Sequence, residues 1–413
     1  MVRARELIAV AALALIVLGL VMVSSASMWV SPVALDGGSP ETGIAGDAIT
    51  LTGVLTGRPA IYAGLAVIAF AVAAFLPMRL LIDRFEGKHT ATFGGSVVAL
   101  AGVALVSCAV IASVYLPVVG KAVNGSHRWI NVPVLGQAQP SEFIKWGMVL
   151  VIAAYAAAIR DRLRFLFAGL TPPLVLLGLV CGLIAIEDLG TGVLIAAVGT
   201  LVLVSAGARL WQLALPAVVG LAGVVVLIID SSYRVRRLTS FLNPFEDPQG
   251  AGYHMIQSMA TIAGGGPAGR GLGHGLQKFG YLPEDTTDFL FAVICEEMGV
   301  VGALVVASLY ALLIGSIVCV ARRAPWMFAR LVAFGVAATI ALQATINLFV
   351  VTGLGPTKGI ALPLLSAGGT GWVLTAFMLG LVFALDRATD AEIGVPVIDG
   401  GRRAKTAPEP TPA

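Results

Sequence analysis

Apolar runs of about twenty residues recur along this chain, and they restrict its fold more than any other feature. A helix needs about 20 mostly apolar residues to cross the hydrocarbon core of a bilayer. We predict ten such helices, at residues 6–25, 59–78, 94–117, 142–159, 165–186, 190–207, 212–230, 289–320, 330–352 and 371–386. Because helices satisfy every backbone polar group within lipid, the pattern predicts an all-α polytopic membrane protein with about ten transmembrane helices.

The composition agrees with lipid as the solvent and excludes other classes of protein. Charged residues make up 12% of the 413 residues and the mean hydropathy is +0.94, whereas soluble domains carry about 25% charge. A net charge of +3 gives no basic surface for a nucleic acid, so no nucleic-acid partner is expected. The four cysteines and four histidines show no metal-ligand spacing, so no metal site is predicted.

Basic residues divide unevenly between the two sides of this ten-helix topology. Most of the 26 Lys and Arg fall on the side that holds both termini, and the positive-inside rule places that side in the cytoplasm. Residues 1–387 then form a single transmembrane domain, and residues 388–413 a disordered cytoplasmic tail. The first apolar run follows Arg3 and Arg5 as a secretory signal would, but it is long for one, so we interpret it as a retained span.

The connections predicted on the outer side are long and rich in Gly and Pro, so any chemistry is expected there. The longest, about residues 231–288, joins helices 7 and 8 and is too long for a plain loop. Residues 253–263 within it place Met and Ile on one helical face, which predicts a short helix in the membrane interface. A glycine-rich turn, Gly264 to Gly275, follows that helix.

Asp288 is the main candidate for a catalytic group. It ends the polar segment Pro283-Glu-Asp-Thr-Thr-Asp288, where the chain enters an apolar run. A carboxylate there is either a helix cap or a general base that acts on a hydroxyl. Asp285 adds a nearby charge that can raise its pKa. Glu296 and Glu297, further into the predicted helix, are interpreted as structural partners of neighbouring helices.

Cations on the outer side indicate an anionic ligand. They are Arg128, Arg270, Lys278 and Lys358, with Lys145 near the start of a predicted span. Together with amides of the glycine-rich turn, they supply the donors that a pyrophosphate requires. Lys145 lies three residues from Glu142, so a local ion pair is its alternative role.

Several motifs in these loops resemble the SEDS family (shape, elongation, division and sporulation) of polytopic glycan polymerases. They are Asn124-Gly-Ser-His-Arg-Trp-Ile130, Gln139-Pro-Ser-Glu-Phe-Ile-Lys145, Asp188-Leu-Gly-Thr191, Gly271-Leu-Gly273, Gln277-Lys278, Tyr281-Leu-Pro-Glu284, Thr287-Asp-Phe289, Gly355-Pro-Thr-Lys-Gly359, Leu362-Pro363 and Ser366-Ala-Gly-Gly369. The resemblance covers about residues 6–387. Gln277-Lys278 and residues 356–359 are more similar to division members, of the FtsW kind, than to elongation members, of the RodA kind. The sequence departs from the family pattern at Glu187, at residues 285–286 and at residues 367–371.

The resemblance implies an inverting peptidoglycan glycosyltransferase that polymerises lipid II at the outer face of the cytoplasmic membrane. Lipid II is a disaccharide-pentapeptide on an undecaprenyl pyrophosphate carrier. Asp288 matches the family's catalytic carboxylate. The implied substrate-binding residues are Arg128, Trp129, Lys145, Arg270, Gln277, Lys278, Lys358 and Ser366. No built-in cofactor is implied, although a divalent cation, Mg²⁺ or Mn²⁺, can accompany the pyrophosphate.

The resemblance also implies partners at the division septum. These are a class B penicillin-binding protein, the division transpeptidase, and other division proteins. An elongation polymerase and a lipid II flippase remain as alternatives. A flippase would place its polar site near the membrane midplane between repeats, whereas the candidate residues here lie mostly in outer loops.

Overall fold

The chain folds mainly into helices, and each predicted span corresponds to one of them. The computed structural model describes residues 3–27, 54, 57–86, 93–116, 119–123, 126–132, 136–276, 281–367 and 369–394. The helices are α1 (Ala4–Ala26), α2 (Arg58–Ala74), α3 (Met78–Glu86), α4 (Phe93–Ala112), α5 (Pro140–Ala158), α6 (Thr171–Glu187), α7 (Leu189–Ser205), α8 (Leu210–Ile229), α9 (Ser232–Leu242), α10 (Tyr253–Gly265), α11 (Leu290–Arg323), α12 (Met327–Val351) and α13 (Thr370–Glu392).

Within the described residues, eight helices are long and apolar enough to cross a membrane. Helices α2 and α3 make a ninth span if they are counted together, with a bend of 57° between them. Pro77 lies at this bend, where it cannot continue the helix. Helix α7 is apolar but has only 17 residues. The fold class is therefore a polytopic helical membrane protein, as predicted, although two of the ten predicted spans are short or bent.

A small antiparallel sheet was not predicted from the sequence. It has the order β1 (Gly120–Val123), β2 (Ser126–Val132), β3 (Gly136–Ala138) and lies between α4 and α5. Strands this short give little periodic signal, and the surrounding Gly and Pro residues indicated only a loop. The sheet gives this connection a fixed backbone at one end of the helix bundle.

Helix α1 lies in the core of the bundle. Ile8, Leu15 and Met22 are completely buried, and the helix packs against α11 and α13. This central position agrees with a retained span. Helix α8 is peripheral, because only 11% of its apolar window is buried.

The two ends of the bundle differ in character. We call the end that carries the sheet, α9, α10 and residues 352–369 the loop end. At the opposite end, Asp390 of α13 pairs with Arg5 of α1 and Arg323 of α11, each at 2.8 Å. These ion pairs explain why α13 continues to Glu392, so that residues 388–392, predicted as disordered tail, are helical. Residues 395–413 of the predicted tail lie outside the described residues.

The helix predicted at residues 253–263 exists as α10, and it packs on the protein. Met255 and Ser258 are buried against α11 and α12, and the Ser258 hydroxyl donates to the Val351 carbonyl at 2.7 Å. Its apolar face therefore covers the ends of two spans. Apolar periodicity identifies a buried face but not what covers it.

The loop end is predicted to lie outside the cell, and cysteine labelling tests this orientation. Ala268 is exposed, whereas a Cβ at Gly269 would lie 2.2 Å from the Glu297 carbonyl. On a background without native cysteines, Ala268→Cys should react with a membrane-impermeant maleimide in intact cells. Asp161→Cys, exposed at the opposite end, should react only after the membrane is opened. The reverse pattern would overturn the orientation.

Candidate active site

A cavity of about 650 Å³ opens at the loop end of the bundle. Its walls come from strand β2, helix α9, the first turns of α5, α7, α10 and α13, the last turns of α12, and loops 281–289 and 357–367. The ionisable residues that line it are Arg128, Lys145, Arg237, Lys358, Glu142, Asp188, Glu284, Asp288 and His254. Four basic side chains thus share the cavity with four carboxylates, so local pairing decides which charges can bind a ligand.

The Asp288 carboxylate accepts no hydrogen bond from the described part of the chain. Helix α11 begins at Leu290 and no side chain caps it. Asp288 therefore does not act as a helix cap, which was one of the two roles that its sequence position allowed. Its backbone carbonyl accepts a hydrogen bond of 2.7 Å from Asn347. Gly359 provides the space for the carboxylate, because a Cβ there would lie 2.8 Å from Asp288 Oδ2. The position and freedom of this group suit a base.

Burial raises the pKa of Asp288 to about 7, and the neighbouring carboxylates of Glu284 and Asp188 act in the same direction. Arg237 and Arg128 oppose this shift. A carboxylate with this pKa is more basic than usual and still partly ionised at neutral pH, which is the range that general base catalysis requires.

Lys145 is committed to a local network. It is 2% exposed, and its Nζ lies 2.8 Å from both carboxylate oxygens of Glu142 and 3.0 Å from Gln343 Oε1. These contacts use all three of its N–H donors. The local ion pair, one of the two roles predicted for Lys145, is therefore present, and a ligand would have to displace Glu142 to bind this cation.

Arg128 is anchored to the junction of α6 and α7. Its guanidinium donates to the Glu187 carbonyl and lies 3.7 Å from Asp188 Oδ2. The Asp188 carboxylate also caps α7 by accepting from the Thr191 amide at 3.1 Å and its hydroxyl at 2.8 Å. Arg128, which was predicted to bind substrate, lines the cavity, where Asp188 partly balances its charge.

Lys358 is a cavity cation with spare donors. It is half-buried, and no hydrogen bond or ion pair links its amine to another described residue. Burial lowers the pKa of Lys358, Arg234 and Arg237 lower it further, and Asp188 opposes them. A partly desolvated cation beside other cations attracts an anion strongly.

Arg270 is not among the residues that line the cavity, contrary to expectation. Its Nε donates to the Gly264 carbonyl at 3.0 Å and lies 3.7 Å from Glu296 Oε1. Sequence position alone could not show which way this turn faces. Gln277 and Lys278, also predicted to bind substrate, lie outside the described residues.

Glu296 and Glu297 bind the glycine-rich turn to the bundle. Glu297 accepts from the Gly273 amide at 2.9 Å and from the Ser25 hydroxyl of α1 at 2.8 Å. Glu296 accepts from the Leu276 amide at 2.9 Å. Their structural role is as predicted. It follows that these two amides stabilise buried carboxylates and are not free to bind a pyrophosphate.

Trp129 and Ser366, which were predicted to bind substrate, line the cavity. Trp129 lies on β2, where it pairs with Lys121 of β1. The Ser366 hydroxyl is completely buried and accepts from the Leu362 amide at 3.1 Å. Ser366 therefore shapes the loop that carries Lys358, and Trp129 offers an aromatic face.

Several cavity residues that bear on the charge of the site were not selected from the sequence as site residues. They are Asp188, Arg237, His254 and Glu284. Glu284 and Asp188 raise the pKa of Asp288, in place of the Asp285 charge that the sequence suggested. The His254 ring stacks on Phe289 with centroids 6.0 Å apart, and burial lowers its pKa. Loop residues such as these converge only through folding, so one sequence gives little signal for them.

The fold and the cavity together define a polytopic membrane protein with a cavity lined by ionisable side chains at one end of its helix bundle. The chain belongs to the family of cell cycle proteins named for FtsW, RodA and SpoVE, whose family model matches residues 5–391.

Known proteins similar to this chain include enzymes of cell-wall synthesis. The probable peptidoglycan glycosyltransferase FtsW of Trichlorobacter lovleyi is 40% identical over 278 residues, which cover 67% of this chain and 73% of that protein. Stage V sporulation protein E of Bacillus subtilis is 38% identical, over 66% of this chain and 75% of that protein.

Solved structures also match over nearly the whole chain. One, described as structural coordination of polymerization and crosslinking by a peptidoglycan synthase complex, has a TM-score of 0.66 and 26% identity, covering 92% of this chain and 97% of that one. The rod shape determining protein RodA of Thermus thermophilus has a TM-score of 0.55 and 24% identity, covering 92% and 96%. At that identity the RodA match supports the fold alone.

Glu187 is predicted to hold the sheet on the bundle. Its carboxylate accepts from the Tyr115 hydroxyl at 2.8 Å and from the His127 amide of β2 at 3.0 Å. Glu187→Ala should lower the free energy of unfolding by about 1 kcal/mol, because both hydrogen bonds are partly exposed. Denaturant unfolding in detergent, with a double-mutant cycle to Tyr115→Phe, measures the coupling.

Glu187→Gln is the matched control, since its amide oxygen can still accept one of these bonds. Its unfolding free energy should fall between those of the parent and Glu187→Ala. If the parent and Glu187→Ala had the same free energy of unfolding, Glu187 would not anchor the sheet to the bundle.

Proposed function

We propose that this chain is a peptidoglycan glycosyltransferase that polymerises lipid II at the outer face of the cytoplasmic membrane. The observation that carries the proposal is the state of the Asp288 carboxylate. It accepts no hydrogen bond from a described residue, has a raised pKa and shares a cavity with cations. The relatives named as peptidoglycan glycosyltransferases supply the class of reaction.

In the proposed reaction, Asp288 accepts the proton of the 4-hydroxyl of the acceptor's GlcNAc. That oxygen forms a bond to the anomeric carbon of the donor sugar. The bond from this carbon to the pyrophosphate oxygen breaks, and undecaprenyl pyrophosphate leaves with the electron pair. Attack from the face opposite the leaving group inverts the anomeric centre. The donor is already activated by its pyrophosphate, so no nucleotide is required.

Lys358 is the residue best suited to stabilise the leaving pyrophosphate, because its donors are free. Lys145 and Arg128 contribute positive potential while remaining paired with Glu142 and Asp188. The described residues include no group of three or more His, Cys, Asp or Glu that could hold a metal ion. A Mg²⁺ or Mn²⁺ ion can accompany the substrate pyrophosphate, as the family resemblance implies, and no step is assigned to it.

The position of the cavity favours an enzyme over a flippase. Its polar groups come from the loop-end turns of the helices and from the loops beyond them. A transporter that alternates between membrane faces places its polar site near the midplane. A lipid-linked sugar at one face can reach Asp288 without crossing the membrane.

We also propose that the loop end faces outward, that the protein acts at the division septum, and that its partner is a class B penicillin-binding protein. The similarity to FtsW relatives supports division, and the similarity to a solved complex of polymerization and crosslinking supports a cross-linking partner. Elongation is the alternative. If depletion of this protein blocked side-wall growth but left septation normal, elongation would replace division as its proposed role.

Asp288→Asn is predicted to abolish polymerisation of lipid II by purified protein with its transpeptidase partner. The amide keeps the size of the side chain but cannot accept the hydroxyl proton. Loss of a positioned base typically costs on the order of 10²- to 10⁴-fold in rate. The variant should fold and bind its partner as the parent does.

Asp285→Ala is the matched control for Asp288→Asn. It removes a carboxylate from the same loop that is not among the residues lining the cavity, and it should retain substantial activity. Near-normal polymerisation by Asp288→Asn at equal protein concentration would disprove the proposed base.

The pH dependence of polymerisation should report the ionisation of Asp288. The base must be ionised, so kcat/KM should rise with pH through the pKa of about 7. Asp188→Asn removes a charge that raises this pKa, and the acid limb of the profile should therefore move to lower pH. An acid limb that stays in place in Asp188→Asn would show that another group controls it.

A further inference from the structure

Helix α9 combines three different faces. Tyr233 and Arg237 line the cavity. Leu238 and Leu242 are 42% and 76% exposed, and Arg236 is exposed on a third face. The helix directly follows the loop-end terminus of the apolar span α8. An apolar face and a polar face on a helix at this depth are typical of a helix in the membrane interface.

Arg234 holds α9 in place. Its guanidinium donates to the carbonyls of Ala185 at 3.1 Å and Leu227 at 2.9 Å, and also to that of Ile186. Ala185 and Ile186 belong to the last turn of α6, whose carbonyls have no partners within the helix. Arg234 is therefore used structurally, and this fixes the position of Arg237 one turn further along the helix.

Arg237 is held at the cavity without a neutralising partner. It donates to the Thr357 carbonyl at 3.3 Å, next to Lys358, and its guanidinium lies 4.5 Å from the centre of the Tyr233 ring. No carboxylate of the described residues lies within ion-pair distance of it. A backbone carbonyl and an aromatic face orient the guanidinium but leave its full charge and several N–H donors available.

We propose that Arg237 and Lys358 form one diphosphate subsite, in which α9 presents Arg237 at the depth of the lipid head groups. The inference rests on the proposed function and extends it to the binding of the lipid carrier. A guanidinium binds phosphate oxygens through two parallel N–H bonds, and the Lys358 amine adds a point charge. The prenyl chain then remains in the lipid beside Leu238 and Leu242, while the sugars lie in the cavity with Asp288.

Direct binding of undecaprenyl pyrophosphate to the full chain in nanodiscs tests the subsite. Arg237→Gln should weaken binding roughly 10- to 150-fold, as expected for loss of a charge-assisted hydrogen bond. Arg236→Gln is the matched control, because it removes the same charge from the exposed face of the same helix. It should change the affinity by less than about twofold, as for a screened surface charge.

Arg237→Lys distinguishes the effect of the positive charge from that of the guanidinium geometry. It also tests the subsite if Arg237→Gln does not fold. It keeps the charge but loses the planar fork, so its affinity should fall between those of the parent and Arg237→Gln. Affinity equal to that of the parent in every folded Arg237 variant would overturn the proposal. Equal weakening in Arg236→Gln would also overturn it, since the effect would then be general surface attraction.

Polymerisation assays separate this inference from the proposed function. If the parent polymerises lipid II and Arg237→Gln has an unchanged KM, only the diphosphate subsite fails. If the parent binds the pyrophosphate lipid through Arg237 but forms no polymer with its partner, the glycosyltransferase proposal fails and the subsite stands. Raised KM with an active parent supports both.

Discussion

The lack of water in a bilayer is the constraint on which the rest of this structure depends. Backbone polar groups inside lipid must be satisfied within their own segment, so the spans are helices and irregular backbone is confined to their ends. The sheet, α9, α10 and residues 352–369 accordingly gather at the loop end. Buried polar side chains obey the same constraint: Glu297 inside α11 persists because Ser25 and the Gly273 amide donate to it.

Pairing among buried charges makes one side of the cavity differ from the other in net charge. Lys145 and Arg128 are close to carboxylates, which fixes their positions and reduces their attraction for a ligand. Lys358 and Arg237 have no such partner in the described chain and form the proposed anion-binding side. Burial raises the pKa of Asp288, and the carboxylates near it act in the same direction. The same few charges can therefore supply a base on one side and an anion site on the other.

The sequence predicted the helices well because each span depends on its own apolar run. It also identified Asp288, where a polar segment meets such a run and matches a family motif. It selected Arg270, which does not line the cavity, and did not select Arg237, which does, although both are cations in the same long connection. Which of them lines the cavity depends on how the connection folds back, through contacts such as Arg234 with the end of α6. A glycine-rich turn that binds phosphate and one that packs on a helix look alike in sequence. Here close packing on the backbone of α11 leaves no room for a side chain at Gly265 and Gly269.

The geometry of the site depends on one buried amide within a span. Asn347 of α12 donates to the carbonyls of Asp288 and Ile360, both at 2.7 Å. These carbonyls belong to two loops that are distant in sequence, and the Ala367 amide joins the loops again at the Thr286 carbonyl. Because Ile360 lies two residues after Lys358, α12 fixes the positions of Asp288 and Lys358 relative to each other. A rigid separation matters for the chemistry, since an amine that reached Asp288 would pair with it and lower its basicity.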